Sequence, residues 1–90
     1  MASCLSPHLP SPQASCVKLD WYPARVDGRP RTIAWTCDCR SVYYELCEAG
    51  GLGFIRRVAK VGQGAVAETH RVRVGESRVM WAALLSGMVR

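Results

Sequence analysis

The chain has 90 residues, of which 49% are hydrophobic and 21% are charged, and its formal net charge is +5. This length allows one small domain with little room for an enclosed active site, and the composition is too apolar for a chain disordered throughout. No run approaches the 18 apolar residues of a membrane span. Because the cysteine count of five is odd and no secretory signal is seen, we expect reduced thiols in a cytoplasmic protein.

The first sixteen residues have the composition of a flexible segment. They contain three prolines, four serines and no Lys, Arg, Asp or Glu, and such a segment buries too little apolar surface to offset its chain entropy. We therefore expect a disordered arm over residues 1–16 and a single small α+β domain over residues 17–90. Pro7 and Pro10 form a P-x-x-P motif, which could dock on a protein partner.

After the arm, short runs of alternating polarity are separated by turn residues, which predicts a four- or five-stranded antiparallel β-meander. The predicted strands are Val17–Val26, Arg31–Cys39, Val42–Glu48, Leu52–Lys60 and Ala65–Val74. Asp27-Gly28 and Gly50-Gly51 predict tight hairpins, because a type I′ turn needs positive φ at both central residues. The segment 41–49 also fits a short helix that begins at Ser41, and the sequence leaves this alternative open.

The Gly50-Gly51 turn sets a register in which Glu45 faces Arg56 and Leu46 faces Ile55. Extending it through two-residue turns at Asp27-Gly28 and Arg40-Ser41, and through a four-residue connection from Gly62 to Ala65, predicts one apolar face of the sheet. That face collects Tyr22, Ile33, Trp35, Cys37, Tyr44, Leu46, Ile55, His70, Val72 and Val74.

A C-terminal amphipathic helix is predicted from about Glu76 to Met88. Trp81, Leu84, Leu85 and Met88 follow the i, i+3, i+4, i+7 spacing of one helical face. We expect this helix to cover the apolar face of the sheet, so the predicted fold is α+β with one helix packed on one side.

Three cysteines are candidate zinc ligands, because zinc favours closely spaced thiolates. Cys37 and Cys39 form a C-x-C pair, and Cys47 follows alone. Zinc sites usually repeat a C-x2-4-C pair, and the predicted register turns Cys47 to the opposite face of the sheet. We therefore predict neither stoichiometric zinc nor another cofactor, while a small metal-stabilised domain that uses this cysteine cluster remains an alternative.

Catalytic machinery is not predicted. His70 is the only histidine in the predicted domain, and one histidine among scattered cysteines does not make a nucleophile–base pair. The glycines from Gly50 to Gly53 lack the continuation of a phosphate-binding loop. We expect a protein that is not an enzyme.

Positive charge is concentrated near the C-terminus, where residues 56–90 contain seven basic and two acidic residues. The predicted solvent-facing side of the sheet carries the candidate anion-binding residues Arg56, Arg71, Arg73, Phe54 and Tyr43. Pairing Arg57 with His70 brings Arg56 level with Arg71, and a bound anion would relieve the repulsion between these like charges. Arginines beside aromatic rings can grip phosphates and stack bases, as sheet platforms do for single-stranded nucleic acid.

The sequence therefore predicts a small binding or regulatory module for an anionic partner, with nucleic acid as the first candidate and no membrane partner. A protein–protein adaptor that uses the C-terminal helix or the Pro-rich arm is the alternative. The oligomeric state does not follow from the sequence.

The stretch from Tyr44 to Arg57, YELCEAGGLGFIRR, resembles small uncharacterised proteins of actinobacterial type. The resemblance implies a bacterial, cytoplasmic setting, and it implies no activity and no site residue.

Overall fold

The computed structural model describes residues 6–25, 28–60 and 65–90. The elements are β1 (Tyr22–Pro23), β2 (Arg31–Trp35), β3 (Val42–Ala49), β4 (Leu52–Ala59), β5 (Val66–Glu68), β6 (Val72–Arg73) and α1 (Val74–Leu85). All strand pairs are antiparallel in the order β1-β5-β4-β3-β2, and β6 also pairs with β4. The predicted α+β fold with one C-terminal helix is confirmed. No helix in these described ranges is long and apolar enough to cross a membrane.

The central hairpin of β3 and β4 follows the predicted register. Glu45 pairs with Arg56 and Leu46 pairs with Ile55. Gly50 and Gly51 have φ values of 60° and 80°, the positive values that a two-residue turn of this kind requires. The segment is therefore a strand over Val42–Ala49, and the helical alternative is wrong.

Strand β2 departs from the predicted register and contains a β-bulge. The prediction places Leu46 opposite Trp35, but Leu46 pairs with Ala34, and the register shifts by one residue between Thr32 and Ala34. Trp35 pairs with Glu45 instead and is 52% exposed. A bulge adds one residue to a single strand, which moves every later side chain of that strand to the other face.

The predicted two-residue turn at Arg40-Ser41 is also wrong, because β2 ends before the cysteines. Thr36 closes the pairing with Tyr44: the Thr36 amide donates to the Tyr44 carbonyl oxygen at 2.9 Å, and the Tyr44 amide donates to Thr36 Oγ1 at 3.0 Å. Beyond Thr36 the chain leaves the sheet, so Cys37 and Cys39 lie in the connection to β3.

The first strand pairs at the other edge of the sheet. The sequence predicts that Tyr22 faces Ile33, but Tyr22 pairs with Glu68 of β5. β1 contains Pro23 and lies at an edge of the sheet, where the missing amide hydrogen is tolerated. The sequence of such a short strand does not specify which edge of the sheet it joins. The predicted turn at Asp27-Gly28 involves Asp27, which lies outside the described residues.

The predicted pairing of Arg56 with Arg71 and of Arg57 with His70 is wrong. Arg56 pairs with Glu68 and Arg57 with Ala67, an arrangement that joins opposite charges instead of like charges. The pairing is then interrupted at Thr69, whose Oγ1 accepts a hydrogen bond from the Ile55 amide at 3.0 Å. Part of the predicted connection from Gly62 to Ala65 lies outside the described residues.

The helix covers the β3–β4 hairpin. The buried cluster consists of Tyr44, Leu46, Ile55, Trp81 and Leu84. Of the predicted apolar face, Tyr22, Ile33, Trp35 and His70 are exposed instead. A Cβ atom at Gly53 would lie 2.0 Å from Oγ of the fully buried Ser77, so the absence of a side chain lets the helix approach the sheet.

The helix begins and ends earlier than predicted. It ends at Leu85, and Gly87 follows with a φ of 80°, a common way for a helix to terminate. Met88 therefore lies beyond the helix and is 55% exposed, whereas Leu85 is half-buried.

The described part of the N-terminal arm makes backbone contacts with the domain. The Gln13 amide donates to the Gly87 carbonyl oxygen at 2.9 Å, and the Cys37 amide donates to the Pro7 carbonyl oxygen at 2.9 Å. Val17 forms a parallel bridge with Val89. These contacts bring residues 7–17 alongside the end of α1 and the β2–β3 connection.

Candidate functional site

The sheet face opposite α1, named the arginine face below, is closed by charged side chains. Along the paired strands β3, β4 and β5 it carries Tyr43, Glu45, Cys47, Phe54, Arg56 and Glu68. Cys47 and Phe54 are fully buried at its centre. The arginine face is therefore a second small packed layer, and not the plain solvated surface that the sequence predicts.

Phe54 lies beneath two of the predicted anion-binding arginines. The guanidinium carbon of Arg71 is 4.6 Å from the ring centroid of Phe54, and that of Arg56 is 5.8 Å away. Cations at this distance are attracted to the ring face, and their alkyl stems exclude water from it. The two guanidinium groups cover the Phe54 ring, so in this conformation the ring is not available to stack a nucleic-acid base.

Glu68 links the arginines and was not among the predicted site residues. Its side chain is 4% exposed and lies within 3.1 Å of Arg56 Nη2 and 3.9 Å of Arg71 Nη2. The amide of Arg25 also donates to it at 3.2 Å. Arg56 has a second carboxylate, Glu45, at 3.8 Å. The charge of Arg56 is therefore largely compensated, whereas the ion pair of Arg71 with Glu68 is longer, at 3.9 Å.

Arg71 has side-chain donors without a hydrogen-bond partner among the described residues. Its side chain is 14% exposed, and Nε and Nη2 are buried with no hydrogen-bond partner in the described part of the chain. It borders an open cavity of about 300 Å³, called the Arg71 cavity below. The cavity is lined by Tyr22, Pro23, Arg25, Glu68, Thr69, His70 and Arg71.

Two exposed aromatic rings form one wall of the Arg71 cavity. The centroids of Tyr22 and His70 lie 4.2 Å apart, with the ring planes tilted by 40°. Neither residue was a predicted site residue, because both were assigned to the apolar face. No sequence signal marks them, since their contact depends on β1 joining the β5 edge.

The other predicted anion-binding residues lie apart. Tyr43 is half-buried opposite Val58, whereas Arg73 is exposed opposite Leu52 at the other end of β4. The structure thus brings Arg56, Arg71 and Phe54 together and places Tyr43 and Arg73 at the two ends of the arginine face.

The three cysteines that the sequence analysis singles out lie in two places. Cys47 is fully buried, and burial, its largest influence, raises its pKa above the ordinary value. Cys37 and Cys39 lie beside His8: His8 Nε2, Cys37 Sγ and Cys39 Sγ are all within 4.8 Å of one another. Cys47 does not belong to this His8 cluster, and His8 escaped sequence reasoning because it lies in the predicted arm.

Comparisons with known proteins do not indicate a function, so the functional interpretation depends on the geometry of the site. No protein-family model matches this chain, and comparison with curated proteins and with solved structures also gave no match.

Proposed function

We propose that this protein is a small non-enzymatic module that binds nucleic acid through the arginine face and the Arg71 cavity beside it. The observation that carries the proposal is Arg71, whose Nε and Nη2 have no hydrogen-bond partner among the described residues. Unsatisfied guanidinium donors are costly in a protein and match the oxygens of a phosphate group. Arg71 lines the cavity, so binding of a phosphate there requires its side chain to reorient and bring these buried donors to the phosphate oxygens.

The surroundings of Arg71 suit a nucleotide better than a free anion. At about 300 Å³ the cavity lies at the small end of ligand-binding pockets. The exposed rings of Tyr22 and His70 offer a stacking surface in place of the covered Phe54. Stacking on aromatic rings and phosphate contacts from arginines are the two means by which sheet platforms hold single strands.

The arginines contribute unequally to the proposed interface. Arg56 is held by Glu68 and Glu45, so its role is to position Glu68 and to cover Phe54. Arg71 and the exposed Arg73 remain as phosphate contacts. Two such contacts on a single strand predict a slope of about −1.4 for log binding constant against log salt concentration.

Fluorescence anisotropy with labelled single-stranded DNA and RNA, titrated at several salt concentrations, tests the proposal. Arg71→Ala combined with Arg73→Ala should abolish most of the salt dependence. Arg71→Lys should keep the slope and weaken affinity, because the charge stays and the guanidinium fork is lost. Tyr22→Ala should weaken binding without changing the slope, since stacking releases no counterions.

Arg78→Ala is the matched control, because Arg78 is an exposed arginine on α1 whose partner is Glu48 at 3.2 Å. Circular dichroism should establish that each variant is folded before it is titrated. The proposal fails if the wild-type protein binds neither nucleic acid at low salt, or if the double variant binds as the wild type does. Partner binding that does not respond to salt would favour the protein–protein adaptor instead.

A further inference from the structure

The His8 cluster has the donor set of a transition-metal site. It combines one imidazole and two thiols, the ligand types that zinc prefers over all-oxygen sites. The donor atoms already lie close together, with His8 Nε2 at 3.1 Å from Cys39 Sγ. A tetrahedral zinc ion with bonds of about 2.0 Å to nitrogen and 2.3 Å to sulfur separates its ligand atoms by roughly 3.5–3.8 Å. Small side-chain movements would therefore reach binding geometry.

We propose that His8, Cys37 and Cys39 bind one zinc ion, with a fourth coordination position left to water or to an external ligand. The proposal is independent of nucleic-acid binding, because the His8 cluster lies at the β2–β3 connection and not in the Arg71 cavity. It also differs from the site considered in the sequence, which required Cys47 and overlooked His8.

Backbone contacts prepare the three ligands for a metal. The Cys37 amide donates to the Pro7 carbonyl oxygen at 2.9 Å, which fixes the residue next to His8 beside the β2–β3 connection. The Cys39 amide donates to Cys37 Sγ at 3.4 Å. A hydrogen bond of this kind stabilises a thiolate, which is the form that binds zinc. The Cys37 amide thus helps to position His8, and the Cys39 amide stabilises the charge of the Cys37 thiolate.

The surroundings give the ion access and room for a further ligand. Cys37 is buried, whereas His8 and Cys39 are exposed, so one side of the His8 cluster is open to solvent. An adjoining cavity of about 490 Å³ is lined by Ser6, Trp35, Thr36, Cys37, Asp38, Cys39, Tyr43 and Glu45. Three protein ligands beside an open volume are the arrangement of zinc sites that keep an exchangeable position.

Zinc bound here would fasten the arm to the domain. His8 comes from the arm, and the two cysteines come from the β2–β3 connection, so the ion would cross-link segments 31 residues apart in sequence. A metal ion that binds only the native state adds its binding free energy to the stability of the fold. We therefore expect zinc to raise the melting temperature and to protect the arm from proteolysis.

The experiment titrates Zn²⁺ into the full-length protein, reduced and freed of metal, with calorimetry and native mass spectrometry as readouts. We expect one zinc per chain. Co²⁺ in place of zinc should give the sulfur-to-metal charge-transfer band and the intense visible bands of tetrahedral thiolate coordination. His8→Ala, Cys37→Ser and Cys39→Ser should each weaken zinc binding by at least the roughly 10–100-fold that loss of a merely supporting residue costs.

Cys16→Ser is the matched control, because Cys16 is a half-buried cysteine outside the His8 cluster and its loss should leave zinc affinity unchanged. His8 is exposed, so the His8→Ala variant should fold normally. This variant therefore tests the proposal even if a cysteine variant does not fold. The proposal is overturned if the wild-type protein takes up no stoichiometric zinc, or if His8→Ala and Cys39→Ser bind it as tightly as the wild type.

Discussion

The two faces of the sheet are closed by different chemistry. On one side α1 lays Trp81 and Leu84 across Tyr44, Leu46 and Ile55, which gives an ordinary apolar core. On the arginine face no helix is present in the described ranges, and the buried Phe54 is covered by the guanidinium groups of Arg56 and Arg71.

The difference shows how a chain of this size can bury both sides of a sheet. A domain of about 90 residues has few apolar side chains to spare, and long arginine side chains can cover an aromatic ring while their charged ends stay near solvent or a carboxylate. Such a cover depends on Glu68, the buried acid that holds the arginines in place. Substitutions on the apolar face should therefore lower stability through loss of packing, and substitutions on the arginine face should lower it through loss of charge pairing.

The largest expected effect is on the apolar face. Trp81 is 8% exposed, so Trp81→Ala should lower the free energy of unfolding by about 3–5 kcal/mol. Val79→Ala is the control on the same helix, because Val79 is 71% exposed and its change should cost no more than about 0.5 kcal/mol. Urea denaturation measures both. Similar values for the two variants would mean that the helix does not stabilise the sheet.

A smaller loss is expected when the arginine face loses its central acid. Glu68→Gln keeps the shape of the side chain but leaves Arg56 and Arg71 without their shared carboxylate. Breaking a buried ion pair costs about 3–5 kcal/mol, and we expect roughly 2–3 kcal/mol here because solvent reaches Arg56.

Glu45→Gln provides the comparison for Glu68, since Glu45 is more exposed and lies 3.8 Å from Arg56. It should cost less than about 1 kcal/mol in the same urea assay. Equal losses for the two glutamate variants would contradict the central position given to Glu68.

The same contrast explains what the sequence could predict. The β3–β4 register follows from a two-residue glycine turn, because such a turn leaves no freedom in the pairing beyond it. The bulge in β2 and the edge chosen by β1 depend on contacts between distant segments, and no local pattern encodes them. Glu68 facing Arg56 was accessible in principle, since opposite charges are the better cross-strand pair.

The candidate sites show the same limit. Arg56, Arg71 and Phe54 lie together in the structure as predicted, although the pairing of Arg56 with Arg71 on which that prediction depended is wrong. The Tyr22–His70 wall and the His8 cluster each join segments far apart in sequence, one across the sheet edge and one through the arm. Spacing rules for cysteines and histidines within one segment cannot find such pairs.

The smallest expected effect concerns Cys47, which lies fully buried under the arginine face. Burial raises its pKa above the ordinary value of 9.0, and Glu45 adds to this, although Arg56 opposes it. The unfolded thiol therefore ionises at a lower pH than the native one. This contribution to stability is complete below pH 9 and declines as the pH rises toward the native pKa, by at most about 1.4 kcal/mol per pH unit.

Urea denaturation of the wild type and Cys47→Ala, between about pH 7.5 and about pH 10 with a chelator present, isolates this contribution. All other side chains are common to the two proteins, so the difference in stability between them reports on Cys47. The stability advantage of the wild type over Cys47→Ala should shrink as the pH rises. A constant difference between the wild type and Cys47→Ala would mean that the arginines stabilise the thiolate as much as burial opposes it.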